Sequence, residues 1–507
     1  MALTTTAFQA WLESDSAVRC TLVEVTATIN GVDTVLYISN RTYNTRITDI
    51  PANTSYLPIL KNSLNYSESL PISGQANLSY GDISIDNTNG QYDAWMDYVW
   101  VSRPINIYIG DPSMVRDDFT KIYSGIVSDI SFSDRNTINI SIRSLTQKLN
   151  TTLNMTKVGG TGPSKDLLRP LVFGEVHNIT PLQIDASTLT YMVHNGPIER
   201  IIEVRDNGVP LSPTTGYTPD VTTGTFKLLR TPIGVITCSV QGEQNSVNSS
   251  TGALLEGTWA YTPAKIIQLI LTKYGNTTVL PSEVDLQAFY DFDQLNQQPI
   301  GIYITQESNV ITVCQEIAAS VGAQFTSTRA GLITLLKLTV PVTDAASKSI
   351  TDDDIVRNSL SISQKVPVQA TIKLGYIKNW TVQTQLLTGI PEDHKVMLSK
   401  EYYYISADDS AIRTAYKLPA EPDPVNTLLI TDSAGAVTAE ANRRLTLWKT
   451  PRYVFKMDCI PKFLNIKLGE MIKLTHYRFG LTGTKSGQVV SLQTDWYTGK
   501  VSLEVLV

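Results

Sequence analysis

Residues 18–39 read VRCTLVEVTATINGVDTVLYIS, and this stretch decides the fold class. Two runs rich in Val, Thr, Ile and Leu flank Asn30-Gly31. β-branched side chains fit a pleated, half-buried surface. Asn-Gly supplies the two successive positive φ values of a type I′ turn, so the spacing predicts a β-hairpin. The same style continues through QANLSYGDISIDN (75–87), PINIYIG (104–110), KIYSGIVSDISFSD (121–134) and NTINISIRS (136–144). SDRN (133–136) is predicted to close a second hairpin. SLTQKLNTTLN (144–154) reads as a short helical or irregular exit. Residues 1–157 are thus predicted as a β domain.

Val158-Gly159-Gly160-Thr161-Gly162-Pro163 is the clearest linker in the chain. Without a following Lys-Ser/Thr, its glycines do not make a phosphate loop. Short strands with Gly and Pro turns then predict a small β domain at 164–255. Helical spacing first appears at Thr262-Pro263, a cap followed by a proline at the first helical position. Ile266, Ile267, Leu269 and Ile270 give its apolar face, and Gly275 stops it. A second helix is predicted at 309–321, capped by Ser308 or Asn309 and closed by Gly322. A hairpin follows around Arg329-Ala330-Gly331, so 256–345 reads as a small α+β domain. Residues 346–507 return to strands, with one helix at 435–448 whose Val437, Ala441, Leu445 and Trp448 share a face.

At 507 residues the chain exceeds what one core fills, and three or four domains are expected. Charged residues make up only 17% against a usual value of about 25%. A surface poor in charge and rich in Thr, Ser, Asn and Gln suits a protein that buries much of itself against partners. The net charge of −6 and pI near 5.4 exclude a general DNA-binding surface, which must be basic. They are compatible with DNA passing a channel that repels it. Cys20, Cys238, Cys314 and Cys459 lack CxxC spacing and read as four small buried hydrophobes. The start MALTTTAFQAWLESD has no signal-peptide pattern, and no apolar run reaches the ~18 residues of a membrane span. The chain is therefore expected to be made in the cytoplasm. The Asn-x-Ser/Thr triplets at Asn40, Asn77, Asn139 and Asn178 then reflect composition.

Catalytic signatures are missing: no GxSxG, HExxH or P-loop occurs. His177, His194, His394 and His476 are scattered, so a zinc site would need several to converge from different domains. Asp117-Asp118, Asp352-Asp353-Asp354 and Asp408-Asp409 are acidic runs. Neighbouring acids on a strand point to opposite faces and do not make a catalytic pair. They read as solvated or capping acids, with a weak divalent-ion site at Asp352, Asp353 and Asp354 as the alternative. Arg443, Arg444 and Lys449, near Trp448, suit either a charged helix face or a nucleic-acid contact. Tyr402-Tyr403-Tyr404 suits a protein interface, with sugar stacking as the competing idea. No catalytic residue, cofactor or metal is expected.

Several passages resemble tail proteins of long-tailed phages and prophages. They are LTTTAFQAWLESDSAVRCTLVEVTATINGVDTVLYISNRTYNT (3–45), FTKIYSGIVSDISFSDRNTINISIRS (119–144) and RPLVFGEVHNITPLQIDASTLTYMVHNGPIERIIEVRDNGVPL (169–211). The closing LGEMIKLTHYRFGLTGTKSGQVVSLQTDWYTGKVSLEVL (468–506) is similar to the last barrel of baseplate hub proteins. The resemblance covers most of the chain and rests on pattern and order. It implies a mainly β, multidomain fold in which tube-like domains at 1–157 and 346–507 flank the two middle domains. It implies a structural virion subunit, not an enzyme, which forms a homotrimeric, pseudo-six-fold hub ring at the tail tip or baseplate. The implied partners are the tail-tube or distal tail protein and tip or fibre proteins, with DNA passing the lumen during ejection without specific binding. Tube-type modules carry one helix each: 435–448 supplies it in the last domain, and 142–154 is the candidate in the first. Strands 121–132, 137–143, 486–493 and 499–507, with helix 437–448, are the expected interface elements, pairing edge to edge across chains. A receptor- or carbohydrate-binding tail-tip protein is the alternative, and a tail-associated cell-wall hydrolase a third reading.

Overall fold

The computed structural model describes the chain apart from residues 1–4, 15, 63–64, 71, 73–76, 276–278, 343–345, 387–388, 420 and 433–434. The fold is mainly β and multidomain. By its contacts the chain divides into two compact units. The first is Met1–Gln147, Thr326–Pro367 and Pro451–Val507; the second is Lys148–Phe325 and Val368–Thr450. The boundary expected at 345 falls on residues outside those described.

The first unit opens with helix α1 (Thr5–Leu12), whose Phe8 and Leu12 are buried. Strands β1 (Cys20–Ile29) and β2 (Val32–Ser39) form the expected hairpin, with Asn30 and Gly31 both at positive φ. Next come β3 (Leu60–Asn62), β4 (Asn65–Ser69), β5 (Asn77–Tyr80) and β6 (Ile83–Asp86). After them come β7 (Pro104–Gly110), β8 (Thr120–Asp134) and β9 (Thr137–Arg143). These strands, β4 and β5 excepted, make one sheet in the order β2-β1-β7-β8-β9-β6-β3. Later in the chain, β10 (Lys348–Ile350), β11 (Ser361–Val366), β12 (Arg452–Cys459), β13 (Met471–Leu474), β14 (Lys485–Asp495) and β15 (Lys500–Leu506) make a second. Its order is β10-β13-β14-β15-β12-β11. One apolar core serves both sheets, from Val23, Ile107 and Ile140 to Phe455, Leu492 and Val505. Period-2 alternation creates it: β9 and β15 each bury every second side chain.

Among the described residues, the α-helix of the first segment is α1. The candidate at 142–154 contributes only a 3-10 turn, Leu145–Leu149. Phe8 stacks on Trp496 with ring centroids 6.5 Å apart, and Gln9 Nε2 donates to the Lys462 carbonyl at 3.0 Å.

In the second unit a five-stranded sheet places Ile236–Glu243 between Ile198–Asp206 and Leu171–Ile179. Helix α2 (Pro263–Lys273) starts at Thr262-Pro263 and ends before Gly275, as read from the sequence. Helices α3 (Leu286–Leu295) and α4 (Val310–Ser320) follow; Asn309 caps α4 and Gly322 takes a positive φ after it. Val368–Thr450 brings α5 (Glu392–Ser399), α6 (Ser410–Tyr416) and α7 (Ala436–Trp448). Helix α7, expected as part of a C-terminal β domain, instead packs on the strands Thr371–Tyr376 and Tyr403–Asp408 of this unit. Its buried Val437, Ala441 and Leu445 are the face read from the sequence.

Trp496 is fully buried at the β14–β15 turn, against α1. Trp496→Ala is expected to lower stability by about 3–5 kcal/mol through cavity formation. Urea unfolding followed by far-UV circular dichroism checks this.

Candidate functional site

The two sheets of the first unit repeat one arrangement. Four sequential strands, β6 to β9, lie in the spatial order β7-β8-β9-β6. Four more, β12 to β15, lie in the order β13-β14-β15-β12. Every neighbouring pair in both sets is antiparallel. The likeness reaches the backbone. Strand β8 has a register shift between Val127 and Asp129, and β14 has one between Val489 and Ser491. In the first half Val127 N–H donates to the Arg103 carbonyl at 2.9 Å, and Ser102 N–H to the Val127 carbonyl at 2.8 Å. In the second, Val489 N–H donates to Glu470 at 2.9 Å and Gly469 N–H to Val489 at 2.8 Å. A bulge bends a strand and raises its twist, so both strands bend at the same point of the plan.

Beyond the bulges the two halves differ. On β14 the edge beyond β13 is taken by β4, paired from Ser491↔Ser69 to Asp495↔Asn65. With β5 it forms an arm that leaves the first half between β3 and β6 and adds to the second sheet. Arg329 pins this arm. Its guanidinium donates to Tyr66 Oη at 2.7 Å, to the Leu464 and Ile466 carbonyls at 3.1 Å, and to Asn465 Oδ1 at 2.7 Å. It also lies 5.5 Å from the Trp496 ring centre. Glu68, buried on the same strand, sits opposite Leu492. Burial pushes its carboxyl up to about 7, against the pull of Arg329. Neither Arg329 nor Glu68 stands out in the sequence, because a residue that acts across 260 positions leaves no local pattern.

The topology places the expected interface strands within the two sheets. Residues 121–132 and 137–143 lie inside the first sheet, and 486–493 and 499–507 inside the second. Strands β14 and β15 carry a partner on both edges over most of their length. In β8, residues 121–125 pair with β7 alone and 128–132 with β9 alone, so only the last two strands lack a free edge.

The basic helix is likewise occupied. Glu440, buried on α7, accepts from Arg443 Nε and Arg444 Nε, each at 2.7 Å. Arg444 also donates to the Ala319 and Ser320 carbonyls. Lys449 reaches Asp409 at 3.4 Å, and Asp409 caps α6. Asp408 accepts from Thr371 Oγ1 at 2.6 Å and pairs with Arg413. The acids at 352–354 are divided: Asp352 pairs with His476 at 2.8 Å, and Asp354 with Lys462 while capping Thr351 N–H at 2.9 Å. Asp353 is exposed. Asp117 and Asp118 sit in the 3-10 turn Arg116–Asp118, whose Arg116 pairs with Glu24 at 2.7 Å. Tyr402 is buried, Tyr403 half-buried and Tyr404 exposed. Gly159 and Gly160 both take positive φ. The four cysteines are free and buried, and burial pushes the Cys20 and Cys459 thiols up to about 12.

The histidines stay apart. His177 pairs with Glu175 at 3.0 Å, and His394 Nδ1 lies 3.3 Å from Arg205 Nη1. Among the described residues no three His, Cys, Asp or Glu side chains gather to hold a metal ion. His194 is the most enclosed. Its Nδ1 accepts the Val172 N–H at 2.9 Å, which leaves Nε2–H to donate to Glu243 at 3.0 Å. Glu243 also accepts from Lys273 at 2.8 Å, from Tyr274 and from Asn245. Burial raises the Glu243 carboxyl, yet these donors outweigh it and hold it down at about 2. Both His194 and Glu243 are sealed from solvent, so the cluster holds the second unit together and offers no reacting atom.

No helix of the described residues is long and apolar enough to cross a membrane. Comparison with protein-family models and with curated proteins finds no match. Among solved structures the chain is similar to a chain in the virion of a native gene transfer agent particle, at 12% identity and TM-score 0.43, over 69% of this chain and 89% of that one. It is similar to the tail protein from Neisseria meningitidis MC58, at 8% identity and TM-score 0.37, over 96% of each chain. It is also similar to the 43 kDa tail protein of prophage MuSo2 from Shewanella oneidensis, at 12% and 0.36, over 97% of this chain and 98% of that one.

Two buried carboxyls titrate with opposite consequences for stability. Glu68 holds its proton longer folded than unfolded, so its contribution is complete below about pH 4.5 and lost as pH rises through about 7. Glu68→Gln is expected to remove this fall and to stabilise the protein at pH 8, by on the order of 2 kcal/mol in urea unfolding. Glu243 has the opposite sign: its contribution stands above pH 4.5 and is lost as pH falls toward about 2. Acid unfolding of Glu243→Gln should begin from a lower stability at pH 7 and lack that component.

Proposed function

We propose that the chain is a structural subunit of a phage tail tip or baseplate, and that three copies close into a hub ring with six similar halves. The observation that carries this reading is the repeated four-strand unit, with its bulge and valine hydrogen bonds, on both sides of one core. A chain that presents the same curved sheet twice can build a six-part ring from three copies, the symmetry match needed to seat a six-fold tube. Closed rings satisfy the sheet edges that an isolated half leaves open. The low charged fraction and net charge of −6 suit a protein buried against partners, around a lumen that DNA passes without being held.

The four-segment division 1–157, 164–255, 256–345 and 346–507 enters this proposal in amended form. The ring-forming halves are drawn from the first and last segments, while residues 368–450 join the two middle segments. Those middle parts are where tip or fibre proteins attach, and the ring face is where the tube or distal tail protein docks. Under this reading the chain has no catalytic role.

Light scattering on a sizing column, with negative-stain electron microscopy, tests the reading. The expected result is a particle of about three times the 55.8 kDa chain mass, seen as a hollow ring. A monomer at every concentration, or an open filament, contradicts it.

A further inference from the structure

The two halves are alike up to the bulge and unlike after it. On β14, residues 491–495 hold the arm strand β4. On β8 the matching residues are 129–134, aligned through the bulge and through the pairs Ile130↔Ile140 and Leu492↔Leu503. Strand β7 ends its pairing at Pro104↔Ile126. Beyond it, among the described residues, β8 has β9 on one edge and no strand on the other.

This open edge is built like the filled one. On β14, Leu70 N–H donates to the Val490 carbonyl at 2.7 Å, which sets the ladder phase and points the Leu492 and Thr494 N–H groups at the arm. By the same phase, Ile130 and Phe132 aim their N–H groups into the open slot of β8. The Ile130 N–H is met there only by its own neighbour, Asp129 Oδ1, at 2.9 Å. Side-chain burial differs in the same sense. Where the arm lies, Leu492 and Thr494 are buried. Their counterparts Ile130 and Phe132 are half-buried and 37% exposed. Val101, next to the Ser102–Val127 hydrogen bond, is 55% exposed. The unpaired stretch carries two partly exposed apolar residues, Ile130 and Phe132, between Asp129 and Asp134, and an unpaired edge is what soluble proteins shield with charge, proline or a partner.

We infer that residues 129–134 of β8 form a strand-acceptor slot, and that its occupant is the second half of another copy of this chain. Repetition points to that occupant. Within the chain, the first half fills the slot of the second. In a closed cycle of alternating halves the next contact is from the second half of one copy to the first half of the next, and its empty slot is this one. The second half also has a donor to offer. Strand β11 (Ser361–Val366) holds in the second half the edge position that β3 holds in the first, at the root of the arm, and five of its six residues are exposed. Main-chain hydrogen bonds to an added strand give affinity, and the pockets for alternate side chains give register.

The inference rests on the ring reading, and the experiment separates the two. Amide hydrogen exchange is measured on the full chain, as monomer at low concentration and as assembled ring. Peptides covering 128–134 should slow at least tenfold on assembly, while those covering 491–495 are slow in both states. Rings whose 128–134 amides exchange as fast as in the monomer overturn the slot and leave the ring standing. A chain that never assembles overturns both. Phe132→Pro removes an N–H that faces the slot, a place where an edge strand tolerates proline. It should leave the monomer's circular dichroism unchanged and weaken assembly at least tenfold. Phe132→Lys, which keeps the N–H and adds a charge, should weaken assembly too. Normal assembly of both variants overturns the proposal.

Discussion

The ladder between β4 and β14 is the contact on which the first unit depends. Five residue pairs join segments more than 400 positions apart, and the core shared by both sheets closes around them. Ordering so distant a pair costs loop-closure entropy before any contact returns it. Backbone pairing alone contributes modestly per hydrogen bond in water. Arg329 adds charge-assisted bonds to the arm strand, the 464–466 turn and the face of Trp496 at one point. Removing that guanidinium would leave two carbonyls and a tyrosine hydroxyl in want of a donor, and so the pin and the ladder stand or fall together.

The two halves use one strand plan for different ends. The first half sends out its arm between β3 and β6. The second half has, between β11 and β12, the whole of Val368–Thr450 instead. An insertion at that point leaves the four-strand unit intact, because a connection at a sheet edge does not interrupt any ladder inside it. The same location therefore holds a pairing device in one half and a large addition, with three helices among its described residues, in the other.

Local chemistry makes much of the fold legible. Asn30-Gly31 marks its hairpin because only a primed turn fits between such strands. Pro263 at the first helical position and Gly275 at positive φ bracket α2, and the Asn309 cap and Gly322 at positive φ bracket α4. Helix α1 escapes a sequence reading because eight residues give barely two turns, and its fixed position comes from Phe8 against Trp496, a contact no local window contains. Sheet edges escape it for the same reason. Alternation says that 121–132 and 486–493 are strands, and it carries nothing about which neighbour each side receives. Arg443 and Arg444 look available as a basic patch, but the acid that neutralises both, Glu440, lies one turn away on the same helix. The bulges at Val127 and Val489, which reveal the repeat, depend on register and cannot be read from composition.

Residue-resolved amide exchange at Leu492 and Thr494 in the monomeric chain decides whether this ladder exists. If the arm ladder joins the halves, both amides exchange only through global unfolding, and Arg329→Ala speeds them by orders of magnitude. If they exchange in the intact protein at the rate of surface loops, the halves are not joined by this ladder and the ring built on it has no foundation.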